Sequence, residues 1–575
     1  MKDNLETMVN SGYSGRRRLV TAALPYINNV PHLGHIAGSH LPADIFARYC
    51  RSKGFKTLFV GATDEHGSAS EIAASQVGVD LKTFSDKLHE EHKKVYDWFG
   101  ISYDHFSRTS SDTHKKVVTS FFKRLNEKGL INEGIMPVFY SPNDDMFLPD
   151  RYVIGECPKC DYKSATGDQC ESCTSLLDAH ELKNPKSTIT GEKIEVRESK
   201  HLFLALDKLS PEIEHWIEKQ THWRPQVKNL AMGWIKEGLR ERCITRDLKN
   251  GIQVPLKGYE DKVFYVWFDA PMGYISSTKE ATDKWKSFWT GDSQIYNFLG
   301  KDNIPFHTIF WPGMIIGTEQ FNLPTNVVGL QYLNYEGKKF SKSKQVGVFC
   351  ETLPKLGLDA DIWRAYLTQV IPESNDSEFK WEEFIERTNS DLIDNFGNFV
   401  NRIVKFTSDR LEGIIERPDE SRLNELDNSV LNEVKEYKKR IEGYLEKSEI
   451  RKAYSEVLAL SSLGNKYIND SAPWITLKED MQRTNDIIYV GARLLKALTT
   501  YIAPFIPETS EKVWSQLGLE GSPLDANAWN NSLSEFDKTH QIGNQEILFK
   551  KLKKEDVGSY KRESSKGIDL KGFFN

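Results

Sequence analysis

Apolar residues change their spacing several times along this chain, and each change marks an expected element. Leu19 to Leu24 is a short, mostly apolar run, which predicts a strand buried on both faces. Leu41, Ile45 and Tyr49 then recur at helical spacing, and Gly54 supplies a stop. Thr57 to Ala62 predicts a second strand, and residues 70–130 read as helices, so the first part is α/β. Turn signals and short β-prone runs fill residues 133–225. Apolar runs resume at Lys262–Phe268, Ile295–Asp302 and Asn326–Leu330, each predicting a strand, with the aromatic segment Pro305–Trp311 between the last two. From residue 389 the period is helical. Val430, Val434, Tyr437, Ile441 and Tyr444 step by four and three, and residues 487–502 and 513–517 read alike. Gly464, Ala472-Pro473-Trp474 and Pro504/Pro507 are expected to punctuate a helical bundle. Beyond Asn530 the pattern fades, and the end of the chain is expected to be mobile.

At 575 residues the chain exceeds what one core supports. Its 76 Lys and Arg against 82 Asp and Glu give a net charge of −6, which excludes coating nucleic acid by bulk charge but allows a local basic face. No apolar run approaches the roughly 18 residues of a membrane helix, and the start lacks a signal-peptide core. Residues 1–15 are expected to be disordered, and Arg16–Arg18 to be a solvated lead-in. Of seven cysteines, four are clustered and three isolated, which predicts a metal site in a reducing, cytoplasmic setting rather than a disulfide framework.

The clustered four form Cys157-Pro-Lys-Cys160, nine residues, then Cys170-Glu-Ser-Cys173. Two such pairs match a tetrahedral zinc knuckle whose four thiolates leave no position for water, so the metal is expected to be structural. Zinc contributes on the order of 10–16 kcal/mol in small modules, enough to organise a segment poor in apolar core. The other candidate chemistry sits between predicted elements. His32 and His35 flank Gly34 in a turn between a buried strand and a helix, where a sheet's carboxyl edge and helix N–H groups suit a phosphate. Gly34 is expected to let a nucleotide lie against the backbone; the plainer alternative is a pair of surface histidines. Asp64 ends the second strand, positioned for a substrate ammonium or for capping the next helix. The loop Glu336–Lys344 is either a solvated charge run or a polyphosphate clamp.

Taken together, His32-Leu-Gly-His35, Lys339-Phe-Ser-Lys-Ser343 and the helical carboxyl part resemble the class I aminoacyl-tRNA synthetases, whose signatures are HIGH and KMSKS. The knuckle and the Trp267…Ala-Pro…Tyr274 segment resemble the methionyl branch of that family. The resemblance implies a Rossmann-type α/β catalytic domain with a zinc-knuckle connective insertion, followed by an α-helical anticodon-binding bundle. The expected division is 16–132 and 226–330 for the two catalytic halves, 133–225 for the connective peptide, 331–388 for a stem-contact segment, 389–535 for the bundle and 536–575 for a tail.

The resemblance further implies ligation of L-methionine to tRNA(Met) through a methionyl-adenylate, in translation initiation and elongation, with ATP, Mg²⁺ and structural Zn²⁺. The catalytic set would be His32, His35, Lys339 and Lys342. ATP would meet His32, Gly34, His35, Asp302 and Lys342. Methionine would meet Leu24, Tyr26, Asp64, Trp267, Ala270, Pro271, Tyr274, His307 and Trp311, aromatic edges suiting a polarizable thioether, with Arg246 balancing the acids nearby. Asn398, Arg402, Pro473 and Trp474 would read the anticodon by hydrogen bonds and stacking.

Three positions depart from the family pattern. Phe340 replaces Met in the lysine loop, an uncharged change expected to matter little; Asn303 replaces an aliphatic pocket residue; Thr174 replaces a glycine after the knuckle. A monomer is expected. A small HxGH nucleotidylyltransferase would need neither knuckle nor bundle, and synthetases for Leu, Ile or Val would need a larger editing insertion. A silent tRNA-binding protein on this scaffold would not need His32, His35, Asp64 and Lys342.

Overall fold

The computed structural model describes residues 17–574 apart from 144, 150–151, 168–169, 171, 174–176, 178 and 342–344. Residues 1–15, expected to be disordered, lie outside the described residues, as do Thr174 and Lys342. Strand β1 (Arg17–Ala22) is buried on both sides, Leu19 entering one apolar cluster and Val20 another. Helix α1 (Leu41–Lys53) follows and ends where Gly54 adopts a φ of 97°, a left-handed cap that glycine takes without strain. Next come β2 (Lys56–Thr63), α2 (Ser68–Val77) and β3 (His105–Arg108). The connective insertion is built on a long antiparallel ribbon of β4 (Ile131–Ser141) and β5 (Glu195–Leu204). The chain returns through β6 (Arg242–Cys243), β7 (Thr245–Arg246), β8 (Val263–Phe264) and α3 (Val266–Asp269) to β9 (Ser293–Gly300) and β10 (Asn326–Leu330).

The main sheet is parallel with order β10-β9-β1-β2-β3, Leu19 pairing with both Leu58 and Ile295. The strand order therefore reverses on either side of β1, and its carboxyl end is the topological switch point where such sheets bind ligands. The strand expected over Lys262–Phe268 is a correction: only Val263–Phe264 is extended, and α3 follows. Phe264 and Phe268, four apart, pack ring to ring at 5.0 Å, which is helical spacing inside a run too apolar for periodicity to discriminate. Pro305–Trp311 is helical as well, with Phe306 stacked on Phe310.

The bundle comprises α4 (Asn398–Arg410), α5 (Glu425–Glu446), α6 (Ile450–Ser471), α7 (Pro473–Glu479) and α8 (Met481–Ile502). Gly464 does not break a helix: it sits inside α6, where a Cβ would come within 2.5 Å of the Phe399 ring. Glycine there allows two helices to close up. Nor is Arg18 solvated. It is buried in β1, its guanidinium donating to both carboxylate oxygens of Glu446 at 3.1 and 2.7 Å. This pair joins the sheet to α5, and one apolar cluster runs from Val20 and Tyr49 to Ile441 and Trp529.

The end of the chain, expected to be mobile, packs back on segments far earlier in the sequence. Helix α9 (Val557–Ser564) receives a hydrogen bond from Phe349 N to Ser564 O, Tyr560 stacks on Trp381, and Phe574 stacks on Phe84. Its apolar residues are too sparse to show a period, and their partners are hundreds of positions away.

Candidate active site

The histidine turn is held by hydrogen bonds within itself. His32 is the cap of the helical turn Leu33–His35, which continues through a π-helical stretch, Ile36–His40, into α1. His32 Nδ1 accepts from Gly34 N, and His35 Nδ1 accepts from His32 N, both at 3.1 Å. This is a capping box made of two imidazoles. Because each Nδ1 is an acceptor, the neutral rings carry their proton on Nε2, the tautomer that donates outward. A Cβ on Gly34 would meet His32 Cε1 at 2.9 Å. Glycine is therefore needed to admit the His32 ring, a reason the sequence did not reveal. The ring of Phe340 stacks on His32 with centroids 4.7 Å apart, so the Met-to-Phe change, expected to matter little, gives the lysine loop an aromatic contact with the turn.

Tyr26 and Asp64 form a parallel bridge: Asp64 N donates to Pro25 O at 2.9 Å and Ile27 N to Asp64 O at 3.0 Å. The acid is thus brought beside the turn by backbone pairing. Asp64 is 3% exposed. Burial, then the Asp269 carboxylate, push its pKa well above the ordinary value. His66 stands opposite, its Nδ1 2.7 Å from Asp269 Oδ2. Burial pulls that imidazole down, but Asp269 and Asp64 outweigh it and hold it above the usual histidine value. Two buried carboxyls thus face one imidazole, and each carboxyl is held above the ordinary carboxylate value by its burial.

Of the remaining predicted pocket residues, Tyr274 lies close enough to Asp64 to feel its charge, and the others are placed by contacts of their own. Leu24 packs on Gly273, where a Cβ would lie 2.7 Å from Leu24 Cδ2, next to the helical turn containing Ala270 and Pro271. Tyr274 OH donates to His307 Nε2 at 2.9 Å, and His307 Nδ1 donates to Asn303 O at 2.9 Å. Burial lowers His307 to about 4, so it is neutral with a defined tautomer. Asn303 thus serves through its backbone carbonyl. Trp267 is half-buried, edge-on to Phe306 at 4.1 Å. Trp311 is fully buried, stacked on Phe121 and edge-on to Trp289, within the second core. Arg246 lies on β7 with its guanidinium 3.7 Å from the Tyr265 ring centroid.

On the lysine side, Asp302 is exposed and accepts a hydrogen bond from Tyr332 OH. Tyr332 also holds cations over its ring, Lys301 at 3.9 Å and Lys339 at 5.8 Å. Tyr332 was not singled out from the sequence, nor were His66 and Asp269. The signal was present in Asp64-Glu-His66 and Trp267-Phe-Asp269, acids and a histidine at the carboxyl ends of predicted strands. Lys342 and Ser343 lie outside the described residues.

The four knuckle sulfurs lie within 4.8 Å of one another, with Cys157–Cys173 at 3.7 Å and Cys160–Cys170 at 3.6 Å. A tetrahedron with Zn–S of 2.3 Å has edges of about 3.8 Å, so the donor set fits zinc and is too open for disulfides. Tyr152 OH donates to Glu71 at 3.1 Å, docking the module on α2. In the bundle, Asn398 Nδ2 donates to Asn465 Oδ1 at 3.1 Å and Arg402 to Asn469 Oδ1 at 2.7 Å, placing α4 against α6. Pro473 is buried at the start of α7, while Trp474 is 46% exposed.

The sequence also matches known families. The model described as tRNA synthetases class I (M) matches residues 18–404, and that described as the anticodon binding domain of methionyl tRNA ligase matches residues 417–567. The chain is 39% identical over 553 residues to the cytoplasmic methionine–tRNA ligase of Saccharomyces cerevisiae, covering 95% of this chain and 73% of that protein. It is 43% identical over 511 residues to methionine–tRNA ligase 1 of Acaryochloris marina, covering 88% and 91%. A solved structure of Mycobacterium tuberculosis methionyl-tRNA synthetase in complex with methionyl-adenylate shares the fold, with a TM-score of 0.78, 23% identity, and coverage of 93% of this chain and 99% of that one. Matched by these family models over most of its length and about 40% identical to such enzymes, this chain belongs to the methionine–tRNA ligases of the class I tRNA synthetases.

Proposed function

We propose that the chain activates L-methionine with ATP and passes the methionyl group to the 3′-terminal adenosine of tRNA(Met). The observation that carries this reading is a buried acid, Asp64, paired by its backbone to the same turn that carries two imidazoles donating outward through Nε2. Methionine's ammonium would meet Asp64, and its thioether the edges around Leu24, Tyr26, Trp267, Tyr274 and His307. The carboxylate would then attack the α-phosphorus of ATP and displace pyrophosphate. Charge grows on phosphate oxygens in that step, so the chain's task is donation rather than nucleophilic attack. His32 and His35 would donate through Nε2, Lys339 and Lys342 would clamp the pyrophosphate, and Asp302 would hold the ribose. Arg246 would temper the local acids. Mg²⁺ would arrive with ATP as the phosphates' counter-ion. Amino-acid-dependent ATP–pyrophosphate exchange, run across the amino acids, tests this reading: exchange with an amino acid other than methionine, or none at all, overturns it.

Zinc held by Cys157, Cys160, Cys170 and Cys173 would supply cross-linking in a module with little apolar core and no chemistry in the reaction. Elemental analysis should find one zinc per chain, reduced in Cys170→Ser. Asn398, Arg402, Pro473 and Trp474 would read the anticodon, a role that the exposure of Trp474 supports. The domain division at 132, 225, 330, 388 and 535 is our proposed map, with the C-terminal segment counted as part of the fold. A monomer acting in the cytoplasm completes the reading.

A further inference from the structure

The ribose and phosphate ends of the proposed ATP site meet at one side chain. Strands β9 and β10 pair in parallel with Gly300 opposite Leu330, so the residues just beyond their carboxyl ends lie side by side. Lys301 and Asp302 follow β9, and Tyr332 lies two residues after the end of β10. The Tyr332 hydroxyl donates to Asp302 Oδ2. Burial, then the Asp302 carboxylate, hold that hydroxyl above the ordinary tyrosine value, so it stays a donor across the neutral range. The centroid of the same ring is 3.9 Å from the Lys301 ammonium and 5.8 Å from that of Lys339, both within reach of a cation–π contact.

The backbone of Tyr332 is fixed as well. Tyr332 N donates to Asp376 Oδ1 at 2.9 Å, and Lys301 Nζ donates to the same oxygen at 3.0 Å. From Tyr332 the chain runs through a short strand, Leu333–Tyr335, paired with Ser377–Phe379, into a tight turn. There Tyr335 and Lys338 exchange backbone hydrogen bonds of 2.7 and 2.9 Å, and Lys339 follows directly. Asp302 and Lys339 are both exposed, and exposed polar side chains sample several rotamers unless a contact selects one. Tyr332 supplies such a contact to each.

We propose that Tyr332 is a positioning residue for ATP, its hydroxyl aiming the Asp302 carboxylate at the ribose and its ring holding the Lys339 ammonium at the base of the lysine loop. One side chain then couples the group that binds the nucleoside to a group that meets the pyrophosphate. The hydroxyl acts in ground-state binding, because the ribose is unchanged by the reaction. The ring acts on the step in which charge moves onto pyrophosphate. This inference rests on the functional reading above for the roles of Asp302 and Lys339; the coupling through Tyr332 is additional to it.

The test is methionine-dependent pyrophosphate exchange by full-length, zinc-loaded enzyme, with ATP and with 2′,3′-dideoxy-ATP, which lacks the ribose hydroxyls. Tyr332→Phe keeps the ring and removes the hydroxyl. Its KM for ATP should rise about tenfold, the scale of one hydrogen bond to a charged group, with kcat held. The preference of the enzyme for ATP over the dideoxy analogue should shrink by a similar factor. Tyr332→Leu removes the ring too and should in addition lower kcat about threefold, the scale of an exposed cation–π contact. Asp302→Ala should raise KM for ATP at least as much as Tyr332→Phe, and adding Tyr332→Phe to it should cost nothing further. An unchanged KM in Tyr332→Phe beside a raised one in Asp302→Ala overturns the coupling and leaves the ribose role of Asp302 standing. An unchanged KM in Asp302→Ala overturns that role and the coupling with it. Equal losses with ATP and the dideoxy analogue, or a melting temperature that falls in step with both kinetic constants, make Tyr332 merely structural and overturn the proposal. Equal kcat in Tyr332→Phe and Tyr332→Leu overturns the part given to the ring.

Discussion

At the histidine turn both imidazoles are held by backbone amides and one is stacked on Phe340, whereas at the α7–α8 corner of the bundle Trp474, Ile475 and Met481 stand 46%, 52% and 50% exposed. The first surface has its donors aimed and its tautomers set, which suits charge that develops only in a transition state. The second presents exposed apolar side chains, the kind of surface on which unpaired bases would stack. A region that stabilises a fleeting charge must be organised in advance; a region that captures a flexible ligand gains by leaving its contact area open.

The sharpest break of that contrast is His32→Asn. Asparagine is as good a helix cap as any residue, so the melting temperature should hold while ATP–pyrophosphate exchange falls by about 3 kcal/mol, roughly a hundredfold or more. Exchange that tracks the melting temperature would make His32 merely a cap. Lys342→Ala is expected to lose exchange on a similar scale with methionine binding preserved, as equilibrium binding would report. At the other end, Trp474→Ala should leave exchange and melting temperature near wild type and weaken tRNA charging by about 1–3 kcal/mol. A parallel decline of all three would return Trp474 to a structural role.

Smaller effects sharpen the same division. No histidine occurs between residues 389 and 535, so acid sensitivity near pH 5–6 should reside in the catalytic half. His40 is an example: its ring nitrogens lie 2.6 Å from Tyr103 OH and 3.1 Å from Tyr96 OH, and burial lowers it from 6.5 to about 3. A base whose folded value is depressed stabilises fully above pH 6.5 and loses that contribution as pH falls toward 3, by up to about 1.4 kcal/mol per pH unit. Denaturant melts of His40→Gln between pH 6.5 and 4.5 should show a flatter dependence than wild type; identical slopes would remove His40 from the account. Least of all, Phe340→Met takes the aromatic face from His32, worth about 0.5–1.5 kcal/mol, and should change KM for ATP in exchange by no more than about tenfold.

Sequence by itself determined the parts whose causes are local. The run Leu19–Leu24 supplied the buried part of a central strand, which ends at Ala22; Leu41, Ile45 and Tyr49 share a helical stripe, and Gly54 stopped it, because only glycine takes that φ cheaply. The cysteine spacing foretold the four-sulfur cluster because two short turns, each with a cysteine at either end, can bring their thiols together locally. What required tertiary structure was every feature whose partner is distant in the chain. Arg18 looked solvated because Glu446 is far away in sequence; the C-terminal segment looked patternless because its apolar residues answer Phe84, Phe349 and Trp381. Lys262–Phe268 was too apolar for its period to be read, and only pairing with β7 limited its extended part to two residues. Asp64 was visible as an acid at a strand end, but its raised pKa depends on its burial and on the Asp269 carboxylate brought beside it. Short-range sterics are written in neighbouring residues, whereas desolvation and charge balance belong to whichever segments the fold brings together.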